Sequence, residues 1–272
     1  MTALPYVAPG GPRWFWRLTI HQVRYDLRAL LRNRQSRFFT LVLPILFLVI
    51  FASVFRGPGT AVQVAGGPID ASVSYVPGIM ALGIIAPAFI DLVVSVTARR
   101  ETGVLKRRRA TPAPAGVIIT GRAITAVATA LAVATVLLAI GWAAFGAHVP
   151  ARTAPALALA VVVGAVSFCC LGYALASAIR DQDAAQPVTQ AVMLPLYFIS
   201  GVFVPISSLP HWLVDVAGFF PVRHLAAALL AAYNPHTRGA GVAFADLLIV
   251  AAWGAVGLAV ALRRFSWNPL GH

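Results

Sequence analysis

Long apolar stretches alternate with short polar loops along the 272-residue chain. A helix needs about 20 residues to cross a hydrocarbon layer of about 30 Å, and it satisfies its own backbone hydrogen bonds there. Six stretches approach or exceed that length, which predicts six transmembrane helices. These predicted spans are Phe38–Phe55, Tyr75–Ala98, Val117–Phe145, Ala154–Ile179, Pro187–Ile206 and Ala243–Leu262.

A helical pattern of a different kind precedes the first span. Apolar side chains recur there at three- and four-residue steps from Trp16 to Leu30, and arginines follow the same rhythm on an adjacent face. This pattern predicts an amphipathic interface helix in the lipid headgroup region, with an ordinary surface helix as the alternative. The apolar positions are Trp16, Ile20, Val23, Leu27 and Leu30.

The segment Leu209–Tyr233 is apolar in two short pieces, which Asp215, Pro221, Arg223 and His224 interrupt. Each piece is too short to span a membrane. The segment therefore predicts an external re-entrant helical hairpin, which we bound at 207–235. His224 and the neighbouring His211 are interpreted as solvated side chains, with a pH or metal role as the alternative.

The amino-acid composition is typical of a membrane protein. Hydrophobic residues make up 60% of the sequence and charged residues 11%, against roughly 45–50% and 25% in soluble proteins. This excludes a soluble enzyme, a disordered tail and a secreted disulfide scaffold. The prediction is an all-α integral membrane protein with a cytosolic N-terminus over 1–37, a six-span domain over 38–262 and a cytosolic tail over 263–272.

The formal net charge is +13, and the position of the cations indicates their role. Seven cations lie in 13–37, seven in 99–122 and two at Arg263 and Arg264, all beside apolar stretches. A six-span topology places seventeen cations on one side and four on the other, which predicts that both termini are cytoplasmic. The high content of Ala, Arg and Gly indicates a GC-rich bacterial genome, so the predicted location is a bacterial cell membrane. A seven-span alternative would place Arg263 and Arg264 outside. The pattern indicates membrane lipids, rather than nucleic acid, as the partner of these charges.

Candidate chemistry is sparse. The eight acids are scattered, and only Asp91 and Asp246 fall within or at the edge of predicted spans. We interpret both as locally satisfied polar groups; the alternative is a contact between them that serves proton or ion coupling. The adjacent cysteines Cys169 and Cys170 predict buried small side chains. No catalytic, cofactor-binding or metal residue is predicted.

The chain also lacks a phosphate-binding loop of the form G-x-x-x-x-G-K-[ST]. Its only lysine is Lys106, which follows Gly103-Val104-Leu105. The sequence therefore predicts no ATP site of this type.

Two segments carry more specific patterns. The loop over 99–116 combines Glu101, apolar Val104 and Leu105, and a cation cluster, and a short helix in it would end before Pro112. Such a helix suits docking into a groove on a cytosolic partner, or alternatively anchoring on anionic lipid.

The second segment is rich in proline. It begins at Pro195 in the fifth predicted span and continues through the hairpin. Prolines at this density predict a break at the outer end of the fifth span, where Ser200 would satisfy the freed backbone groups.

At these residues the sequence resembles the permease subunits of type-2 ABC exporters, which include daunorubicin-resistance and polysaccharide or lipid export permeases. The resemblance covers nearly the whole chain, although Arg108 stands where the family usually has an apolar residue. The family pattern R-E-x-G-x-L followed by A-T-P falls on Arg100, Glu101, Gly103, Leu105, Ala110, Thr111 and Pro112. The pattern P-x-x-F-x-S-G-x-x-x-P followed by P-x-W-L falls on Pro195, Phe198, Ser200, Gly201, Pro205, Pro210, Trp212 and Leu213.

The resemblance implies a permease that pairs with a separate cytosolic ATPase, which binds ATP and Mg, and with a second, identical or similar, permease. The transport path would lie between the permeases, nearest spans one, two and five, and would carry an amphipathic drug, lipid or glycolipid outward; its lining residues are not identified. The implied ATPase-coupling residues are Arg100, Glu101, Gly103, Leu105, Lys106, Arg107, Thr111 and Pro112. The implied span-break and re-entrant residues are Pro195, Phe198, Ser200, Gly201, Pro205, Pro210, Trp212 and Pro221.

Two alternative functions belong to other classes. An intramembrane enzyme acting on a lipid-linked substrate would show acids or histidines gathered at one depth, and the sequence shows none gathered. A non-transporting membrane anchor would need neither the broken fifth span nor the hairpin.

Overall fold

The computed structural model describes residues 11–32, 38–55, 61–64, 67–102, 115–146, 148–237 and 239–264. Within these ranges the chain forms ten α-helices, with π-helical turns at Phe38–Val42 and Ala86–Ile90 and a 3-10 turn at Ile206–Ser208. The helices are α1 (Pro12–Arg32), α2 (Leu43–Val54), α3 (Ala71–Ile85), α4 (Asp91–Glu101), α5 (Ala115–Phe145), α6 (Ala154–Ala178), α7 (Gln182–Ile199), α8 (His211–Phe219), α9 (Pro221–Tyr233) and α10 (Phe244–Arg264).

Four helical rods in the described ranges are long and apolar enough to cross a membrane, or five if the bent pair α8 and α9 counts as one span. One of them is Ser74–Glu101, in which α3 and α4 continue through the π-helical turn; the others lie in α5, α6 and α10. The chain is therefore a multi-pass helical membrane protein. The apolar helix at Thr40–Val54 is shorter, and α7 carries polar side chains in its first turns, so the count of six spans stays a prediction.

The all-α class is confirmed, and the described residues also include one small sheet that the sequence did not predict. Ala61–Val64 pairs antiparallel with Gly67–Asp70, with Ala61 opposite Asp70 and Val64 opposite Gly67. Strands of four residues are too short to give a clear alternation of apolar and polar side chains, so the sequence pattern carried no signal for them.

The core is centred on α3, which lies against α2, α5, α6 and α9. Its side chains Ile79, Met80, Ile84 and Ile85 are fully buried. A helix that is apolar all round is expected at the centre of a bundle. Because α3 is surrounded and α4 continues it, the C-terminal end of α4 emerges among the ends of several other helices.

Helix α10 packs closely on α6, which completes the bundle. A Cβ atom added to Gly254 would lie 2.6 Å from Ser167 Oγ, and one added to Gly257 would lie 2.8 Å from the backbone nitrogen of Leu171. Small residues at these positions allow the two backbones to approach each other.

Candidate functional site: the C-terminal end of helix α4

The last two turns of α4, Ser95–Glu101, make polar contacts with four other parts of the chain. We call this segment the α4 terminus. Successive residues of a helix point about 100° apart, so Ser95, Arg99, Arg100 and Glu101 can reach different neighbours. The segment is followed in the sequence by the basic loop that contains the predicted ATPase-coupling residues.

Arg100 is buried, with 1% of its surface exposed. Its guanidinium donates hydrogen bonds to the carbonyl oxygens of Ala176 (2.9 Å), Ile179 and Arg180 (3.5 Å). The last carbonyls of a helix have no partner within the helix, and a planar guanidinium can serve several of them at once. Arg100 therefore holds the C-terminal end of α6 against α4.

Glu101 contacts the next helix in the same loop. Its Oε2 atom accepts a hydrogen bond of 2.9 Å from the backbone nitrogen of Gln182, the first residue of α7. Asp181 caps the same helix end, where its Oδ1 atom accepts from the backbone nitrogen of Asp183 at 2.9 Å. Together, Arg100 and Glu101 fasten both sides of the short loop between α6 and α7 to the α4 terminus.

Arg99 connects the α4 terminus to α1. Its Nη2 atom lies 3.4 Å from Oδ1 of Asp26, which is 2% exposed. Arg122 of α5 approaches the other carboxylate oxygen at 3.7 Å, and Gln22 donates to the same oxygen at 2.9 Å. Asp26 is thus a buried anion between two cations, and it ties α1 to both α4 and α5.

Arg122 and Asp91 extend this network into the bundle. Arg122 donates to Ser95 Oγ at 2.7 Å, and Thr40, in the π-helical turn before α2, donates to Asp91 Oδ2 at 3.2 Å. Asp26, Asp91 and Arg122 also line a small cavity of about 30 Å³. Asp91 follows directly after a π-helical turn, a feature found often at functional sites.

The remaining predicted coupling residues lie outside the described part of the chain. They are Gly103, Leu105, Lys106, Arg107, Thr111 and Pro112. Of the predicted set, the structure describes Arg100 and Glu101, which face the protein's own α6 and α7.

The predicted break of the fifth span lies at Ser200 and Gly201. Helix α7 continues through Pro187 and Pro195 and ends at Ile199, with Phe198 exposed. Gly201 has a φ of +82°, a left-handed conformation that glycine adopts at little cost. The role predicted for Ser200 was wrong: its Oγ atom is buried and has no hydrogen-bond partner among the described residues.

The hairpin prolines occupy the starts of elements. Pro205 precedes the 3-10 turn, Pro210 precedes α8, and Pro221 is the first residue of α9, a position where the missing N–H of proline costs no helical hydrogen bond. Helices α8 and α9 are bent by 96° relative to each other. Trp212 on α8 is 65% exposed.

The interpretation of His224 as a solvated side chain was wrong. Its Nδ1 atom lies 2.7 Å from Asp246 Oδ1, and its Nε2 atom lies 2.8 Å from the carbonyl oxygen of Gly218. Both ring nitrogens therefore have polar neighbours, one on α10 and one near the end of α8. Asp91 is hydrogen-bonded to Thr40 and Asp246 contacts His224, so the structure shows each acid with a partner other than the pairing that the sequence left open. No sequence signal joined His224 to a residue 22 positions away.

The family model for the ABC-2 type transporter matches residues 18–234. The chain therefore belongs to this family and is a transmembrane subunit of that class of transporter. It is 29% identical over 150 residues to the probable multidrug ABC transporter permease YbhR of Escherichia coli strain K12, and equally to that of Escherichia coli O157:H7. The match covers 55% of this chain and 40% of each relative.

We predict that Glu101→Ala and Glu101→Gln will differ in transport. A glutamine side-chain oxygen still accepts from the Gln182 backbone nitrogen, whereas alanine leaves that nitrogen without its partner. If Glu101 acts by holding α7, Glu101→Ala abolishes transport in vesicles while expression and membrane insertion stay normal, and Glu101→Gln retains most of it. Equal loss in both variants would assign the role to the charge, and full transport by Glu101→Ala would contradict any coupling role.

Proposed function

We propose that this chain is the permease of an ATP-driven exporter, which moves an amphipathic drug, lipid or glycolipid outward by alternating access. The observation that carries the proposal is the α4 terminus, which contacts α1, α5, α6 and the start of α7 at once. A displacement of the loop that follows this segment would therefore reach all four of these helices.

The proposed coupling role follows from the position of these contacts at the end of α4. When a cytosolic ATPase moves the loop over 103–114, the displacement reaches α4 directly, because α4 ends where the loop begins. Arg100 and Glu101 pass it to α6 and α7, and Arg99 passes it to α1 through Asp26. Packed helices with discrete contacts transmit such displacements as rigid bodies. In this proposal ATP and Mg bind to the partner ATPase, and this chain supplies no nucleotide site.

A second copy of a permease is the partner that the exposed face of α7 supports. Gln186 and Gln190 are exposed on this face, in line with exposed Leu194 and Phe198. Carboxamides facing hydrocarbon would lack hydrogen-bond partners. An amide both donates and accepts, so two such faces can pair across a two-fold axis or line a wet path between subunits.

Aromatic side chains beside the break of α7 support an amphipathic substrate. The Phe203 ring lies 5.5 Å from the rings of both Phe47 and Phe51 of α2, and Phe51 lies 5.3 Å from Tyr75. These rings give the region between α2 and the end of α7 a largely apolar surface. The relatives reported above are named as probable multidrug permeases, which agrees with an amphipathic drug as one class of substrate.

The proposed topology has six spans in a bacterial cell membrane, with α2 and α7 as the first and fifth. Both termini lie on the cytoplasmic side. The charge distribution along the sequence supports it, since cations concentrate before α2, between α4 and α5 and after α10. The hairpin of α8 and α9 then lies on the outer side.

Purification of the complex through a tag on this chain tests the proposed function. From gently solubilised native membranes, we expect an ATPase subunit with a phosphate-binding loop at near one-to-one stoichiometry by mass spectrometry. Vesicles containing the complex are expected to transport a fluorescent amphipathic drug only when ATP is supplied, with vesicles lacking ATP as the control. A chain that purifies without an ATPase, under conditions that retain other membrane complexes, would contradict the proposal and favour an anchor or an intramembrane enzyme.

A further inference from the structure

The outward face of α1 is strongly basic. Five arginines of this helix are exposed, and they project within about 100° of one another around the helix axis. The only acid in α1 is Asp26, which is buried on the opposite side. We call this exposed set the arginine arc. Its members are Arg13, Arg17, Arg24, Arg28 and Arg32.

Exposed apolar side chains accompany the arc. Trp16 is 52% exposed and Ile20 is 49% exposed at one border, and Tyr25 is 59% exposed at the other. Guanidinium groups together with a tryptophan, a tyrosine and an aliphatic side chain suit the boundary between headgroups and acyl chains, where each type finds its preferred surroundings.

The structure fixes the orientation of this face and places it at one end of a membrane-crossing helix. The buried side of α1 is held by Asp26, between Arg99 and Arg122. Helix α1 also lies closely against the start of α5, where a Cβ added to Gly121 would lie 2.9 Å from Gln22 Cγ. Because the apolar rod of α5 begins at Thr120, the arc lies beside the end of a membrane-crossing helix. In a bilayer, headgroup phosphates lie near the ends of membrane-crossing helices.

From this arrangement we infer that the arginine arc is a binding surface for anionic phospholipid headgroups. The ordered spacing of the guanidinium groups allows several phosphates to be bound in a row, and the aromatic borders place the surrounding acyl chains. A zwitterionic lipid would bind the arc more weakly, because the cation of its own headgroup lies beside the phosphate. The inference concerns the chain alone and does not depend on the proposed transport function.

The test uses the full-length chain in detergent micelles with equal amounts of phosphatidylglycerol and phosphatidylcholine, and bound lipids are counted by native mass spectrometry. We expect an excess of bound phosphatidylglycerol in the unchanged chain. Replacing all five arginines of the arc by glutamine should lower the ratio of the two bound lipids at least about fivefold, the factor that one arginine near an anionic surface contributes. Replacing them by lysine should keep most of the excess.

The comparison variant is the pair Arg263→Gln and Arg264→Gln, which removes two exposed charges at the end of α10 and should lower the ratio less than the five-glutamine variant does. Thermal unfolding of each variant checks that the bundle is intact. An unchanged lipid ratio in the folded five-glutamine variant would overturn the inference. If that variant instead loses a co-purifying ATPase subunit while it keeps the lipid ratio, the arc is a protein-docking surface and the inference is equally overturned.

Discussion

Arg100→Ala should abolish substrate export and lower the free energy of unfolding by about 3 kcal/mol, since hydrogen bonds to charged groups contribute roughly 1.5–3 kcal/mol each. The substitution removes the donors for the carbonyl oxygens of Ala176, Ile179 and Arg180. It also leaves a void at a position that is 1% exposed. In the proposed mechanism, loss of this contact weakens the transfer of displacement from α4 to the end of α6.

Thermal unfolding of the purified chain and ATP-dependent transport in vesicles measure the two effects separately. Arg100→Lys should be intermediate, because one ammonium group cannot reach three carbonyls with the geometry of a guanidinium. Arg263→Ala removes an exposed arginine from the last turn of α10 and serves as the control, with both properties expected to stay normal. Wild-type transport and stability in Arg100→Ala would contradict the bridging role.

Asp26→Ala should detach α1 from the bundle. The variant leaves Arg99 and Arg122 facing each other without the anion between them, and loss of one partner from a buried ion pair costs about 3–5 kcal/mol. Since Arg99 and Arg122 are partly exposed, we expect a loss near the lower end, about 3 kcal/mol. Transport should also decrease, because in the proposed mechanism displacement of α4 reaches α1 through Asp26.

Amide hydrogen exchange along α1 measures the detachment directly. Exchange should rise in the residues around Asp26 and stay unchanged in α10. Gly121→Val provides a second route to the same state, because its side chain would collide with Gln22 without altering any charge. Asp215→Ala removes an exposed acid from α8 and is the matched control. If α1 exchanges normally in both Asp26→Ala and Gly121→Val, the buried network does not hold it.

The sequence marked two residues of the candidate site, but it did not show their contacts. The R-E pair of the family pattern marked Arg100 and Glu101, and the structure places both at the end of α4. Their partners are two carbonyls at the end of α6, one in the following loop and a backbone nitrogen of α7. Backbone groups carry no residue-type signal, so no pattern could have named them. Asp26 was read as one scattered acid because its cations are 73 and 96 positions away.

The amino-acid sequence was sufficient to predict a multi-pass helical membrane protein with basic segments beside its apolar stretches. Hydrophobic length and charge position are local properties, and each follows from the cost of placing polar backbone or charge in lipid. The packing of the helices was needed to find which polar groups meet: Asp26 with Arg99 and Arg122, and His224 with Asp246. Those pairings depend on how helices distant in sequence pack against each other.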